Sequence, residues 1–504
     1  MKVLLVTGQL AKPIVEEYAK RATERVRGVE IRVLALPIEV AAMMNSEYLA
    51  RVLPEYTEII RDVDIIIVPG YTQGDLSGLQ RVLGVPVVKG TRYAHDIPLL
   101  VELLARRVEL SPIKPADDIV ESERALIEEE ALLESRKRAE KDHYFKIRDL
   151  PVSSHYPLVV FELYAESENV STPTEPVKYA DIVLVGFPLG FSRSSALRVL
   201  KTIRDTVSKP VGVDTLDLEL IKDAHELVDV VNGIQCSSVE SIYELRFLEE
   251  KPIVVTHYSK SAAERVAALE KCAEDLARRG FERVILDPVL SQPLSGLSES
   301  LEAYALLKRK LPRTPLLMGV GNVTELSDVD SIGLNALLAF LGVEIGVELY
   351  LVTEASVKTR GSTRELREAL EMAIIARELR KPPKDLSRSL LLLKSKKRLS
   401  QPLPAAKTVI KALERTPLRL DPKGYFKVSV DYEHGEVVVQ HYSYGSIEPT
   451  VEIRGRDPYA VFAEIEKRGL VSQSRHYFYL GSEITKAYIA LKTGKEYAQD
   501  ADLF

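Results

Sequence analysis

Two polar side chains suited to recognising a flat, nitrogen-rich ring lie on neighbouring segments of this sequence. Asp214 and Asn232 each follow a short apolar segment of strand character, residues 210–213 and 228–231, and a segment of helical periodicity separates them. Because the carboxyl ends of parallel strands meet at one face of an α/β barrel, we expect both side chains in one pocket. A carboxylate accepts from a ring N–H and an exocyclic amine together, and an amide supplies one donor and one acceptor. Pterins, guanines and flavins all match this pair.

Each of the two residues also has a purely structural interpretation. Asp214 could cap the helix that follows it, and Asn232 could satisfy a turn. Their placement at successive strand ends favours the binding interpretation for the two together.

The elements that position these residues repeat through the middle of the chain. Residues 146–380 contain eight apolar segments separated by helical segments, which predicts a (β/α)8 barrel, or TIM barrel. The predicted strands are residues 158–163, 181–187, 210–214, 228–231, 253–257, 284–287, 316–320 and 347–352. Polar residues at the strand ends would not be tolerated in an apolar core without a ligand or solvent. They are Glu162, Asp214, Asn232, His257, Asp287 and Asn322.

Two further domains flank the predicted barrel. Residues 1–116 alternate strands and helices, which predicts a Rossmann-like, doubly wound parallel α/β domain, although a dinucleotide fingerprint and a P-loop are missing. Residues 117–145 have mixed charge and predict an exposed connecting helix. A basic linker marked by prolines, residues 381–404, follows the barrel. Residues 405–504 predict a small α+β domain with a hairpin and two helices.

The composition is that of a folded protein with a slightly acidic balance. The formal charge of −6 argues against a general nucleic-acid or membrane-surface role. No apolar run reaches membrane-spanning length and the N-terminus leads directly into a strand, so we expect a cytoplasmic location. The two cysteines, Cys236 and Cys272, have no neighbours at metal-ligand spacing, so we expect no metal site.

Three segments resemble the pterin-binding barrels, which are dihydropteroate synthase and the methyltetrahydrofolate:corrinoid methyltransferases. Residues 210–234 resemble their V-D-T-like strand end with an Asn on the next strand. The sequence ILDP at residues 285–288 resembles their L-D-P strand end, and GVGNV at residues 319–323 resembles the G-x-S-N-x turn of the methyltransferases. The whole chain resembles the archaeal dihydropteroate synthase-related proteins, which have a pterin-binding-like centre and extra domains at both ends.

This resemblance implies roles for four residues. Asp214, Asn232 and Asp287 would hold the pterin ring, and Asn322 would both contact the ring and act catalytically beside its reactive nitrogen. The implied ligand is a reduced pterin of the tetrahydromethanopterin or tetrahydrofolate type. Pterin-binding barrels are commonly dimers, so the resemblance also leaves a homodimer open.

Three other residues extend the predicted site. Lys358 and Arg360 follow the eighth strand, where barrels often bind phosphate, and would hold the phosphate-bearing tail of a tetrahydromethanopterin-like cofactor. The alternative for both is a solvated loop. His257 is a candidate general acid, and its alternative role is a hydrogen-bonding core group.

Departures from the synthase pattern decide the predicted reaction. GNV at residues 321–323 stands where the synthases place Ser-Arg-Lys, and YAES at residues 164–167 replaces their pyrophosphate-handling loop. We therefore predict a transferase that moves a one-carbon or methyl group from a reduced pterin. Its acceptor would be a corrinoid carried by a partner protein, because the chain has no corrinoid motif. Synthase-like condensation in pterin biosynthesis and a non-catalytic pterin-binding or scaffold role are the alternatives.

Overall fold

The computed structural model describes residues 1–119, 121–170, 172–188, 190–238, 246, 248–395, 408–412 and 420–504. The chain divides into two units, Met1–Glu134 with Ile375–Arg388 and Ser135–Ile374 with Ser389–Phe504. Residues 396–404 of the predicted linker lie outside the described residues, as do 405–407 and 413–419 of the predicted C-terminal domain. The predicted domain boundaries therefore stay predictions.

A parallel sheet forms the centre of the first unit. Its strands are β1 (Lys2–Thr7), β2 (Glu30–Ala35), β3 (Ile65–Val68) and β4 (Val87–Lys89). The helices up to residue 141 are α1 (Lys12–Arg25), α2 (Ser46–Val52), α3 (Thr57–Ile60), α4 (Ser77–Leu83), α5 (Ile97–Ala105), α6 (Ala116–Ile119) and α7 (Glu121–Lys141). The strand order is β2-β1-β3-β4. Leu4 and Val6 pack in one apolar cluster and Val3 and Leu5 in another, so both faces are covered, which confirms the doubly wound class.

A ring of parallel strands forms the predicted barrel. The strands are β7 (Leu158–Tyr164), β8 (Ile182–Gly186), β9 (Val211–Asp214), β10 (Val230–Gln235), β11 (Ile253–Thr256), β12 (Val284–Asp287), β13 (Leu317–Gly319) and β14 (Leu349–Thr353). They pair in the order β12-β11-β10-β9-β8-β7-β14-β13. A parallel bridge between Leu286 and Leu316 brings the two ends of this sheet together. The TIM-barrel prediction is confirmed.

Helices cover the outside of the barrel, as the sequence periodicity predicts. They are α8 (Thr174–Tyr179), α9 (Arg193–Thr206), α10 (Leu218–Ala224), α11 (Ala262–Ala277), α12 (Leu297–Lys310), α13 (Gly321–Thr324), α14 (Ser331–Ile345) and α15 (Ser362–Glu378). Inside the barrel, Val160, Leu184 and Val230 belong to one apolar cluster. Gly212 makes room among them, since an added Cβ would lie 2.3 Å from a Leu184 side-chain atom and 2.5 Å from one of Val230. A short hairpin, β5 (Lys146–Ile147) with β6 (Leu150–Pro151), adds Ile147 to this interior cluster.

The fourth barrel strand is longer than the sequence predicts. β10 continues to Gln235, so Asn232 lies within the strand and not after its end. Gly233 has a φ of +91°, and the pairing with β11 changes register between Val231 and Ile234. A glycine adopts this left-handed conformation at little cost, so the strand bulges there and continues.

The C-terminal residues form an antiparallel sheet with two helices, which confirms the α+β prediction. The strands are β15 (Tyr425–Asp431), β16 (Glu436–Tyr442) and β17 (Val451–Gly455), and the helices are α16 (Pro458–Lys467) and α17 (Ser474–Thr493). β15 lies at an edge of this sheet. The Gln499 side chain accepts a 2.8 Å hydrogen bond from the Val428 N–H and donates one of 3.1 Å to the Phe426 carbonyl. A side-chain amide therefore bonds part of that edge.

Neither a membrane-spanning helix nor a metal-binding cluster occurs among the described residues. No helix there combines the length and hydropathy needed to cross a membrane. Nor does that part of the chain hold a group of three or more His, Cys, Asp or Glu side chains arranged to bind a metal ion.

Candidate functional site

The last inward-facing positions at the carboxyl ends of four barrel strands are polar. Glu162 on β7, Asp214 on β9, Asn232 on β10 and Asp287 on β12 each stand two positions after a residue that faces the barrel interior. Side chains two apart on a strand share a face, so these four point toward the barrel axis at its mouth. We call them the mouth cluster.

Asp214 and Asn232 are direct neighbours, as the sequence predicts. They are paired across β9 and β10, and the Asn232 Nδ2 donates a 2.8 Å hydrogen bond to the Asp214 Oδ2. Asn232 is only 5% exposed, and its Oδ1 has no hydrogen-bond partner among the described residues. An unsatisfied buried acceptor costs about 1–3 kcal/mol, so this oxygen calls for a donor from outside the chain.

Asp287 is buried but has two donors from this chain. Its Oδ1 accepts a 2.8 Å hydrogen bond from the Val289 N–H and lies 2.9 Å from the Tyr304 hydroxyl. Burial raises the pKa of Asp287 to about 6, although the bonds from Val289 and Tyr304 act in the opposite direction. Near neutral pH this carboxyl group therefore carries its negative charge at a considerable desolvation cost.

The pKa values of the other two carboxyl groups of the mouth cluster are also raised. Burial raises the pKa of Asp214, against the hydrogen bond from Asn232. Burial first, and then the charge of Asp214, raise the pKa of Glu162 to about 7. Among the described residues, no Lys, Arg or His forms an ion pair with any of these three acids. Among the described residues these acids thus form no ion pair, although the charge of Arg265 lowers the pKa of Asp287 against the larger effect of burial.

Arg265 on α11 supports the turn beside Asp287. It is completely buried and donates to the carbonyls of Pro288, at 2.8 Å, and Val289, at 2.5 Å. Val289 has a φ of +61°, a conformation that β-branched residues rarely adopt. Since this turn directs the Val289 N–H to Asp287, the guanidinium stabilises a strained turn that supplies one of the bonds to Asp287.

The sequence analysis missed Arg265, although a signal for it exists. Arg265 lies three residues after Ala262 and four before Leu269, in the stripe of α11 that is otherwise apolar and buried. An arginine in such a stripe needs several buried hydrogen-bond partners, because its charge cannot be neutralised by losing the proton. Those partners come from loops after β11 and β12, and the sequence did not indicate them.

The two predicted catalytic residues lie just after the carboxyl ends of barrel strands, and Asn322 is within the short helix α13. Asn322 is exposed, and its Nδ2 donates a 2.9 Å hydrogen bond to the Leu290 carbonyl. His257 is half-buried just after β11, and its backbone N–H donates to the Asp287 carbonyl at 3.3 Å. The catalytic roles of both side chains stay predictions.

Lys358 and Arg360 each have a partner from this chain. The Lys358 Nζ lies 3.0 Å from the Asp328 carboxylate. Arg360 lies 2.9 Å from the Glu496 carboxylate and places its guanidinium 3.9 Å from the ring centroid of Tyr432. A role for either cation in holding a ligand tail stays a prediction.

The Glu354 side chain bonds to backbone N–H groups at the amino end of α15. Its two carboxylate oxygens accept hydrogen bonds from the N–H groups of Gly361, at 2.8 Å, and Thr363, at 3.0 Å. Backbone N–H groups at a helix start commonly bind phosphate. Here these two already bond to a carboxylate of the chain itself.

Comparisons with known proteins give one relative along the full length and two family models at the ends. The chain is 31% identical over 534 aligned residues to uncharacterized protein MJ0107 of Methanocaldococcus jannaschii, and the match covers 100% of this chain and 99% of that protein. Residues 1–92 match a family of unknown function, DUF6513. Residues 420–500 match the family described as PterinBD-DUF4346.

Solved structures that are similar to part of the chain include bacterial dihydropteroate synthases. The Coxiella burnetii enzyme in complex with pteroic acid has a TM-score of 0.35 at 17% identity, covering 43% of this chain and 92% of that one. The Thermus thermophilus enzyme has a TM-score of 0.35 at 25% identity, covering 44% and 95%. The Yersinia pestis enzyme with a pterine-sulfa conjugate has a TM-score of 0.36 at 16% identity, covering 46% and 98%.

Proposed function

The chain belongs to the same family as the uncharacterized Methanocaldococcus jannaschii protein, and we propose that its barrel binds a reduced pterin and transfers a one-carbon group from it. The name of the family model that matches residues 420–500 refers to pterin binding, which supports this class of ligand.

The observation that carries the proposal is the buried Asn232 Oδ1, which has no hydrogen-bond partner among the described residues and lies beside carboxyl groups that form no ion pair there. These oxygens are acceptors, so the ligand must present several N–H donors at one edge. The amino-pyrimidinone edge of a pterin has a ring N–H and an exocyclic amine, and a reduced pyrazine ring adds more N–H groups. A flavin edge carries fewer donors and matches this acceptor-rich mouth less well.

Asp214, Asn232 and Asp287 would hold the ring through these contacts. Hydrogen bonds to charged groups contribute about 1.5–3 kcal/mol each. When bound, a reduced pterin supplies a one-carbon unit on a ring nitrogen. The chain's own residues orient the ring and exclude water from its donor edge, and Asn322 and His257 remain the proposed catalytic groups.

The position of Glu354 favours one-carbon transfer over synthase-like condensation. Condensation releases pyrophosphate, and barrels often bind phosphate near the loops after the seventh and eighth strands. The N–H groups of Gly361 and Thr363 at that position bond to the Glu354 carboxylate. A corrinoid on a partner protein would be the acceptor, and methyl transfer that appears only after a methylated pterin and a corrinoid protein are both added tests this step.

Calorimetric titration with tetrahydrofolate, 5-methyltetrahydrofolate and 6-methyltetrahydropterin tests the binding site. We expect binding to the wild type and a loss of about 10- to 150-fold in Asp287→Ala, because that variant removes one charged acceptor from the mouth. Asp214→Ala should lose a similar amount. Asp223→Asn, which changes an exposed carboxylate on α10, serves as the matched control. Equal affinities in Asp287→Ala and Asp223→Asn would refute the site.

A further inference from the structure

We propose that Glu162 is protonated at the barrel mouth and that its carboxylic acid donates a hydrogen bond to an acceptor atom of the bound ring. This inference rests on the proposed pterin site and adds the donor that the site otherwise lacks. Asp214, Asp287 and the Asn232 Oδ1 offer acceptors, whereas a pterin also exposes acceptors in its ring nitrogens and its carbonyl oxygen. A carboxyl group that stays protonated near neutral pH would supply a donor for these ring acceptors.

The first geometric support is the space above Gly186. A Cβ added to Gly186 would lie 2.6 Å from the Glu162 Oε1, so only glycine at this position lets the carboxyl group lie over β8. Gly186 is paired with Asp214 across β8 and β9. The strand register therefore places the Glu162 carboxyl group on the Asp214 side of the mouth.

The second support is that the Glu162 carboxyl group has no hydrogen bond or ion pair among the described residues. A half-buried carboxylate in that state is partly desolvated and receives no hydrogen bond from the described residues, so the protonated form is favoured. The raised pKa of Glu162, about 7, agrees with this geometry.

Among the described residues, Asp214 is the titratable group that acts on Glu162. Across the pairing with β14 stands Thr353, which is uncharged, and the next residue, Glu354, bonds to the amides of Gly361 and Thr363. On the other side Gly186 carries no side chain. The negative charge of Asp214 raises the pKa of Glu162, and it also raises the pKa of Asp287 on β12. This like charge favours the protonated form of Glu162.

The test is calorimetric titration with tetrahydrofolate between about pH 6 and about pH 9, in buffers with different ionisation enthalpies. Binding by the wild type should take up a fraction of a proton near pH 7, because the ligand favours the protonated acid, and the proton comes from solvent. Above pH 7 the affinity should fall by up to about tenfold per pH unit.

Glu162→Gln separates this mechanism from a structural role. Glutamine keeps the length of the side chain and a donor, and it cannot ionise, so the variant should lose the part of the fall in affinity above pH 7 that Glu162 causes. Asp214 and Asp287 still titrate in the variant, so the difference between the two profiles isolates Glu162. Glu166→Gln, an exposed change just after β7, should keep the wild-type profile.

The free protein provides a readout that needs no ligand. An infrared difference spectrum between about pH 6 and about pH 8 should show a larger loss of carboxylic-acid absorption in the wild type than in Glu162→Gln, in which Asp214 and Asp287 still titrate. If tetrahydrofolate binds with the same pH profile in both proteins, the inference is wrong and the pterin site stands. If no reduced pterin binds to the wild type at all, both proposals fall.

Discussion

The carboxyl groups at the two ends of the barrel differ in their partners. At the mouth, Glu162, Asp214 and Asp287 are buried or half-buried without an ion pair. At the other end, three acids that immediately precede a barrel strand each bond to both a cation and a backbone N–H of a neighbouring strand. We call these three, Asp181, Asp229 and Glu348, the base carboxylates.

The contacts of the base carboxylates follow one pattern. Asp181 accepts from the Val159 N–H at 2.7 Å and pairs with Arg367. Asp229 accepts from the Val211 N–H at 2.9 Å and pairs with Arg148 at 2.7 Å. Glu348 accepts from the Leu316 N–H at 2.8 Å and from the Tyr144 hydroxyl at 2.8 Å, and it pairs with Lys308.

The difference separates acids that stabilise strand positions from acids whose partner, in our proposal, is a ligand. A buried charge with a full set of partners fixes strand positions, whereas one without partners lowers the stability of the free protein. This division agrees with the usual use of barrel ends, where the carboxyl end carries the chemistry and the amino end the stability. The predictions below test it, from the largest effect to the smallest.

Removing a cation from the base should cost the most stability. Lys308→Met leaves the fully buried Glu348 without its cation, and we expect the free energy of unfolding to fall by about 3–5 kcal/mol in chemical denaturation. The matched control is Lys310→Met on the same helix, whose partner Glu270 lies nearer the surface, with an expected change below about 1 kcal/mol. Similar losses in the two variants would contradict the division.

Removing a charge from the mouth should instead stabilise the free protein. Because its folded pKa is raised from 4.5 to about 7, Glu162 contributes stability that is fully present below pH 4.5 and is lost as the pH rises through about 7. Glu162→Gln should therefore unfold with a free energy up to about 3 kcal/mol higher than the wild type near pH 8. The gain should disappear near pH 4, and a gain of equal size at both pH values would contradict the assignment.

Weakening one of the two donors to Asp287 should have an intermediate effect. Tyr304→Phe removes a hydroxyl that favours the ionised carboxylate, so the pKa of Asp287 should rise above its present value of about 6. We expect a loss of about 1–2 kcal/mol in the free energy of unfolding near pH 8 and a smaller loss near pH 5, where Asp287 is protonated in both proteins. Tyr164→Phe, an exposed change, should show no such pH dependence.

The smallest stability effect is expected in the loop after the eighth strand. The partner of Lys358, Asp328, is almost fully exposed, so Lys358→Met should change the free energy of unfolding by less than about 0.5 kcal/mol. If Lys358 holds a ligand tail, the variant should bind a pterin with an anionic tail several-fold more weakly and 6-methyltetrahydropterin unchanged. Equal affinities for the tailed pterin in both proteins would remove Lys358 from the site.

The barrel and part of its mouth could be predicted because their signals are local. Alternating apolar and helical segments define the strands, and one βα unit is enough to place Asp214 beside Asn232. The contact of Arg265 with Pro288 and the pairing of Lys308 with Glu348 join residues that are 23 and 40 positions apart. Such pairings depend on how helices lie against the strands, and sequence periodicity does not specify this. The lack of a partner for Glu162 is also visible only in three dimensions.

The side-chain amide of Gln499 affects whether strand β15 can pair with a strand of another copy of the chain. The Val428 N–H and Phe426 carbonyl on β15 would otherwise be open to a strand from another molecule, and exposed strand edges promote aggregation. By bonding to both groups, the Gln499 side chain protects part of this edge from intermolecular pairing. The segment after α17 therefore limits strand pairing between molecules, a role that does not involve a ligand in the barrel.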